Sequence, residues 1–154
     1  MRPYRYCPFC RTELADVECG GRSRPGCSAC GFIQYMNPAP GAGVILWRDR
    51  RICLVQRRYA PKVGQWTLPT GFMEWDEDIE QTAVRETREE TGLEVRLTGI
   101  HAVHTGLLPP STPVVVVFYT AEETGGALAA GDDAARVGFF ALDDLPGPIA
   151  FAAH

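Results

Sequence analysis

The stretch Gly71–Leu93, GFMEWDEDIEQTAVRETREETGL, restricts the fold more than any other part of the chain. Gly71 ends an apolar, proline-containing approach (Gln65 to Thr70), and a helix is predicted after it. Asp76 is the expected N-cap, with Glu77 and Asp78 in the first turn, where the helix dipole favours acidic side chains. Gly92 stands where a left-handed C-cap residue belongs. Between these ends Ile79, Ala83, Thr87 and Glu90 follow helical spacing and predict one inward stripe. Glu86, Glu89 and Glu90 lie at i, i+3 and i+4, which sets three carboxylates side by side.

Such a cluster repels itself unless positive charge joins it. Arg85 and Arg88 answer part of that charge, and a hard divalent cation, Mg²⁺ or Mn²⁺, is the natural complement because it takes oxygen ligands and bridges carboxylates to substrate phosphates. A solvated, salt-bridged helix face is the ordinary alternative for an arbitrary acidic helix. The spacing here is far from arbitrary. Gly71, five residues, Glu77, seven residues, then Arg85-Glu86-Thr87-Arg88-Glu89-Glu90-Thr91-Gly92-Leu93 resembles the Nudix box, the signature of hydrolases acting on nucleoside diphosphates linked to another moiety. Thr87 stands where that pattern prefers an aliphatic residue, and its methyl can pack inward.

The resemblance implies an α/β fold, a Nudix α/β/α sandwich with a mixed sheet. It implies that Glu86, Glu89 and Glu90 bind Mg²⁺ or Mn²⁺, that the Gly71 carbonyl is a further ligand, and that Glu77 and Arg85 fix the helix through an ion pair. Glu89 is the first choice as general base, with Asp133 or Glu123 in reserve. The expected activity is metal-dependent hydrolysis of a pyrophosphate bond in ADP-ribose, FAD or a similar dinucleotide, with release of a nucleoside monophosphate.

Cys7-Pro-Phe-Cys10 and Cys27-Ser-Ala-Cys30 form two CxxC pairs with sixteen residues between them. That is zinc-ribbon spacing, with a redox CxxC pair as the minor alternative. Residues 1–36 are therefore read as a zinc ribbon holding Zn²⁺ on Cys7, Cys10, Cys27 and Cys30, and residues 37–154 as the catalytic domain. So short a ribbon buries little, so metal binding must supply much of its folding free energy. Cys19 is expected to be a bystander and Cys53 a small core residue. Asn37 to Gly41, with Pro38 and Pro40, reads as a stiff connector. A four-cysteine ribbon running into a Nudix domain resembles a subgroup of NADH pyrophosphatases and FAD or ADP-ribose hydrolases.

Gly43 to Trp47 and Arg51 to Gln56 read as strands around the turn Arg48-Asp49-Arg50. Arg57 and Arg58 follow as candidate phosphate contacts, of which at most one can face the cleft because adjacent strand residues point opposite ways. Trp66 and Phe72, with Tyr59, Trp75 and Phe151, are candidates for stacking a ring, although aromatic side chains at such positions commonly pack in cores or loops. Val95 to Val103 and Val114 to Ala121 read as strands, the second buried in the middle of a sheet. His101 to Pro113 reads as a long loop, either a substrate lid or a plain connector. It lacks the Ser-Gln-Pro-Trp-Pro-Phe-Pro motif of the NADH pyrophosphatases, which lowers that reading. His101 and His104 are more often structural than catalytic. Glu122 to Ala130 reads as a turn or mobile loop, Arg136 to Leu142 as a strand. Phe139 to Pro146 and Ile149 to Phe151 resemble the tail of the FAD and ADP-ribose hydrolases, with a small or incomplete final helix expected.

Length of 154 residues with 45% hydrophobic residues fits one domain plus an appendage. The absence of a long apolar run and of a signal-peptide core points to a cytoplasmic protein without membrane attachment. A net charge of -4 ranks a nucleotide-type small molecule above nucleic acid as partner, while Arg11, Arg22 and Arg24 on the ribbon keep nucleic acid open. A homodimer is also left open. The runner-up functions are an NADH or NAD-capped RNA pyrophosphatase, and a non-catalytic nucleotide sensor or nucleic-acid adaptor; intact acidic positions in the box argue against the last.

Overall fold

The computed structural model describes residues 3–108 and 111–151. They divide into two compact units after Pro38, two residues past the boundary expected from the connector. Ala39 already belongs to a strand.

In the first unit β1 (Ala15–Cys19) and β2 (Arg22–Gly26) form an antiparallel hairpin. Gly20 and Gly21 turn it with φ of 60° and 71°, the left-handed pair that a two-residue hairpin turn requires. Two knuckles of the same design flank the hairpin. The Cys7 N–H donates to the Thr12 carbonyl and the Arg11 N–H to the Cys7 carbonyl; Cys27, Phe32 and Gly31 repeat the pattern. Arg11 at φ 63° does the work of Gly31 at φ 76°.

The second unit is a mixed sheet carrying one described helix. Strand β3 (Ala39–Arg48) turns through Asp49 and Arg50, at φ 50° and 62°, into β4 (Arg51–Arg57). Strands β5 (Trp66–Thr67) and β6 (Thr70–Phe72) lead to α1 (Ile79–Thr91), followed by β7 (Leu93–Leu108), β8 (Thr112–Gly126) and β9 (Ala134–Phe140). β8 pairs parallel with β3 and antiparallel with β7, β6 adds to β3, and β5 and β9 flank β4. The β-branched run of β8 is thus central, as its composition predicts.

Period-two alternation in β3 sorts the core. Ala42, Val44 and Leu46 face α1 with Cys53, Ala83, Leu93, Val95 and Tyr119. On the other face Ile52, Leu54, Trp66, Leu68 and Phe118 pack together with partly buried Ile45, Phe140 and Ile149. The inner stripe of α1 is unusually small: Thr82, Ala83, Thr87 and Thr91 are fully buried. Each threonine hydroxyl donates to the carbonyl four residues back, from Thr82 to Asp78, Thr87 to Ala83 and Thr91 to Thr87. Thr87 therefore packs its methyl inward and satisfies its hydroxyl within the helix.

Several boundaries differ from the sequence reading. The N-cap is Asp78, not Asp76: its carboxylate accepts from the Gln81 N–H while the Gln81 side chain accepts from the Asp78 N–H, each at 2.8 Å. This reciprocal box needs Gln three positions on, and Asp76 has Ile79 there. The expected loop from His101 to Pro113 is mostly strand, because β7 runs to Leu108 in register with β8 from Thr112; Pro109 and Pro110 lie outside the described residues. Glu122 to Gly126, read as loop, continues β8, since Leu93 to Arg96 pair with it and Arg96 reaches Glu122. β9 begins two residues earlier and ends two earlier than expected. No helix follows β9 among the described residues: Pro146, Gly147 and Pro148 break it, and Ile149 instead bridges Trp66. The position of the expected final helix beyond Phe151 lies outside the description. No described helix is long and apolar enough to cross a membrane.

Gly92 ends α1 at φ 72°, and a Cβ there would lie 2.3 Å from the Ala127 carbonyl oxygen. Left-handed backbone alone costs an L-residue about 1–2 kcal/mol. Gly92→Ala is expected to lose at least that much, read as a lower urea midpoint with unchanged slope; an unchanged midpoint would refute the tight helix-to-β8 closure.

Candidate active site and cysteine centre

Arg85 is the hub of the acidic site. Its Nε donates to Glu77 Oε2 at 2.9 Å and its Nη2 to Glu77 Oε1 at 2.6 Å, a bidentate pair. Nη1 serves both Glu86 Oε1, at 2.8 Å, and Glu89 Oε2, at 2.9 Å. Nη2 also reaches the Phe72 carbonyl at 3.0 Å. Glu77 in turn accepts from the Glu74 N–H and the Thr82 hydroxyl. One guanidinium thereby ties the end of β6, the loop before α1 and two of the three clustered carboxylates. The Arg85 hydrogen bonds hold the Glu77 carboxyl down at about 2, and the same partners push the Arg85 pKa up.

Glu90 is the most enclosed of the three, 5% exposed, and one oxygen accepts from the Thr70 N–H at 2.9 Å. Burial pushes its carboxyl up to about 8, against the opposing Thr70 hydrogen bond. Burial also raises Glu86, with Arg85 opposing. Glu89 is the exposed member. Gly71 explains itself here: a Cβ on it would sit 2.0 Å from the Glu86 carboxyl. The glycine leaves the space that this carboxylate fills, and β6 holds it opposite Ala42 of β3. Enclosed hard oxygens, short of positive charge and packed against a bare backbone, fit a divalent cation.

Asp132 and Asp133 belong to the loop that closes on the end of α1. The Gly131 N–H donates to the Glu90 carbonyl, and the Asp133 carbonyl accepts from the Arg58 N–H. The negative charge of Asp132 bears on Glu86 and that of Asp133 on Glu90. Glu123, the other reserve base, is instead paired with Arg48. His101 and His104 are both exposed strand residues, the latter edge-on to Phe118.

The two arginines reach different partners, Arg57 as the last residue of β4 and Arg58 just beyond it. Arg57 is half-buried, donates to the Pro61 carbonyl at 2.7 Å, lies over the Phe151 ring, and its charge acts on Glu90. Arg58 donates to the Ala134 carbonyl. Phe72 is 48% exposed beside the site, whereas Trp66 is 3% exposed. The Trp66 ring packs edge-on to Phe140 with Arg136 over it, so the structure puts it in the core and not in an open stacking position. Tyr59 and Trp75 are exposed.

The four cysteines of the knuckles converge. Cys7 and Cys30 Sγ are 3.5 Å apart, Cys10 and Cys27 3.4 Å, and Cys10 and Cys30 3.6 Å. Four thiolates at about 2.3 Å from one ion would stand about 3.8 Å from each other, so the cluster is compatible with zinc and can form a zinc ribbon. Hydrogen bonds with Thr12 draw the Cys10 thiol down to about 6. Cys19 lies apart from this set beside the Tyr35 hydroxyl, and Cys53 is fully buried in the core.

Residues 37–154 match the family model described as NUDIX domain. The chain belongs to the Nudix family. An ADP-ribose pyrophosphatase from Methanocaldococcus jannaschii is 36% identical over 115 residues, 73% of this chain and 67% of the relative. A protein named NAD-capped RNA hydrolase NudC, from Chromobacterium violaceum, is 30% identical over 155 residues, 97% of this chain and 56% of the relative. The chain thus spans between about half and two-thirds of the length of these curated relatives. Among solved structures, a NUDIX hydrolase from Nitrosomonas europaea matches with TM-score 0.85 at 31% identity, covering 97% of this chain and 85% of that one.

The sequence pattern brought forward every side chain on the Arg85 hub except Thr82. It missed the backbone groups, the Thr70 N–H and the Phe72 carbonyl, because their direction is set by β6 pairing and leaves no residue-type signal.

The depressed Glu77 carboxyl has a signed consequence. A carboxyl near 2 when folded and 4.5 ordinarily contributes stability above about pH 4.5 that disappears as pH falls toward 2. Wild type should exceed Glu77→Gln in urea resistance near neutral pH, with the gap closing across that window. A gap that stays constant from pH 7 to about 2.5 would show that the ion pair is not its source.

Proposed function

We propose that this Nudix chain hydrolyses the pyrophosphate bond of a nucleoside diphosphate linked to another moiety, with ADP-ribose, FAD or a similar dinucleotide as substrate class and a nucleoside monophosphate as product. The single observation that supports it best is the Arg85 hub, which holds Glu86 and Glu89 beside the enclosed Glu90. The similarity to a relative named ADP-ribose pyrophosphatase supports the substrate class.

Glu86, Glu89 and Glu90 would hold Mg²⁺ or Mn²⁺, with the Gly71 carbonyl as a candidate fourth donor. Such ions neutralise phosphoryl oxygens and make a bound water more acidic. Arg85 keeps the carboxylates gathered when the substrate leaves, and Glu77 keeps Arg85 in place. Glu89, the most exposed of the three, is the first choice to accept a proton from an attacking water, although Arg85 engages one of its oxygens; Asp133 is the reserve, and Glu123 is paired with Arg48. Arg57 is the arginine assigned to a substrate phosphate, given its charge near Glu90. Phe72 is the ring assigned to stacking.

A second reading, an NADH or NAD-capped RNA pyrophosphatase, is favoured by a different observation. The match to the NudC relative extends over 97% of the chain and so includes the cysteine unit.

Release of AMP from ADP-ribose, FAD, NADH and NAD⁺ with Mg²⁺, Mn²⁺ or chelator is the test. Metal-dependent turnover of ADP-ribose or FAD is expected, and Glu90→Gln should lower kcat by about a hundredfold or more while remaining folded, because a neutral amide ligates a hard cation poorly. Preference for NADH would select the second reading. Tight ADP-ribose binding without turnover would favour a sensor and end the hydrolase reading.

We also propose that Cys7, Cys10, Cys27 and Cys30 hold one structural Zn²⁺. Metal analysis of the purified chain should find it, and Cys7→Ser should lose it together with amide-exchange protection in β1 and β2, leaving β3 to β9 protected. Retention of zinc by that variant would overturn the ligand set.

A further inference from the structure

The outer side of β7 is an open sheet edge. Strand order ends at β7, which pairs with β8 and with no other strand among the described residues. Native proteins usually guard such an edge with charges, prolines or bulges. The register shifts of β7 all fall before Ala102, so Ala102 to Leu108 pairs with β8 residue for residue. No Asp, Glu, Lys or Arg occurs from Leu97 to Ala121. On one face of this regular run Val103 is 58% exposed and Leu107 71%, with Ile100 flanking them at 64%.

We propose that this edge pairs antiparallel with the same edge of a second copy of the chain, about a two-fold axis at Thr105. The occupant follows from the symmetry of the segment. Thr105 is the midpoint of the regular run, and a two-fold there sets Val103 of each copy opposite Leu107 of the other on one face. On the other face Ala102 meets Leu108 and His104 meets Gly106. In a two-fold interface each side chain near the axis meets its own kind, so a charge there would face an identical charge. The uncharged run satisfies that condition. A strand from a different protein would need no such restriction and would usually be matched by charge. The paired main chains supply the hydrogen bonds, and the apolar pairs set the register. Seven residues of strand span only about 24 Å, so the contact falls at the small end of specific interfaces and the dimer depends on concentration.

Sedimentation of the full chain over a series of concentrations, from low micromolar upward, tests this. Wild type should move from the mass of one chain toward that of two. Thr105→Lys places two lysines across the axis and should weaken association by more than about tenfold with unchanged circular dichroism. Wild type that stays monomeric at every concentration overturns the proposal and leaves the edge to a strand of another protein. A dimer equally strong in Thr105→Lys also overturns it, because the interface then lies elsewhere. Should that variant misfold, hydrogen exchange on wild type decides: amides from Ala102 to Leu108 gain protection with concentration if the proposal holds, and stay unchanged if it fails.

Discussion

Glu77 and two of the three clustered carboxylates are held by one cation placed among anions. Without the Arg85 guanidinium, Glu77, Glu86 and Glu89 would repel across a few ångströms in a partly water-excluded setting. Its planar fork engages Glu77 through two nitrogens and still has Nη1 directed at the other two carboxylates. A lysine carries equal charge but not that geometry. The bidentate pair with Glu77 is therefore the anchor, and the gathered carboxylates are what it makes available.

Around that anchor the backbone supplies what side chains cannot. β6 is three residues long and, among the described residues, pairs only with β3, yet it carries the Thr70 N–H that holds Glu90 and the Cβ-free Gly71 against Glu86. β3 is in turn pinned between β6 and β8. The precision of the site thus descends from sheet pairing to a helix face, with Asp78 and Gly92 fixing the two ends of that helix. Asp132 and Asp133 reach the same place from the far end of the chain because Gly131 brings their loop against the end of α1.

Legibility in the sequence followed how local each cause was. The box could be read because Gly71, Glu77, Arg85 and the three glutamates lie within one turn and one helix, where spacing fixes geometry. The cysteine knuckles could be read for the same reason. The capping residue was displaced by two positions because Asp76, Glu77 and Asp78 are all competent by type, and only the partner at Gln81 distinguishes them. The β7–β8 hairpin was cut short because its Gly, Thr, His and Pro residues look like loop; its strand character comes from pairing with a β-branched neighbour across the sheet, which a single segment does not reveal. Trp66 looked like a stacking surface for want of its neighbours, Phe140 and Arg136, which come from β9.

The small residues on the inner face of α1 have a mechanical meaning. Thr82, Ala83, Thr87 and Thr91 put short side chains at the fully buried positions of α1, against a core face that includes Val44, Leu46 and Tyr119. Added bulk on that face has to be met by a shift of the helix or of its neighbours, and Glu86, Glu89 and Glu90 ride on that same helix. Core drift and site geometry are therefore a single trait in this protein. A change of one or two methyl groups on that face would therefore disturb the placement of the three carboxylates together with the core packing.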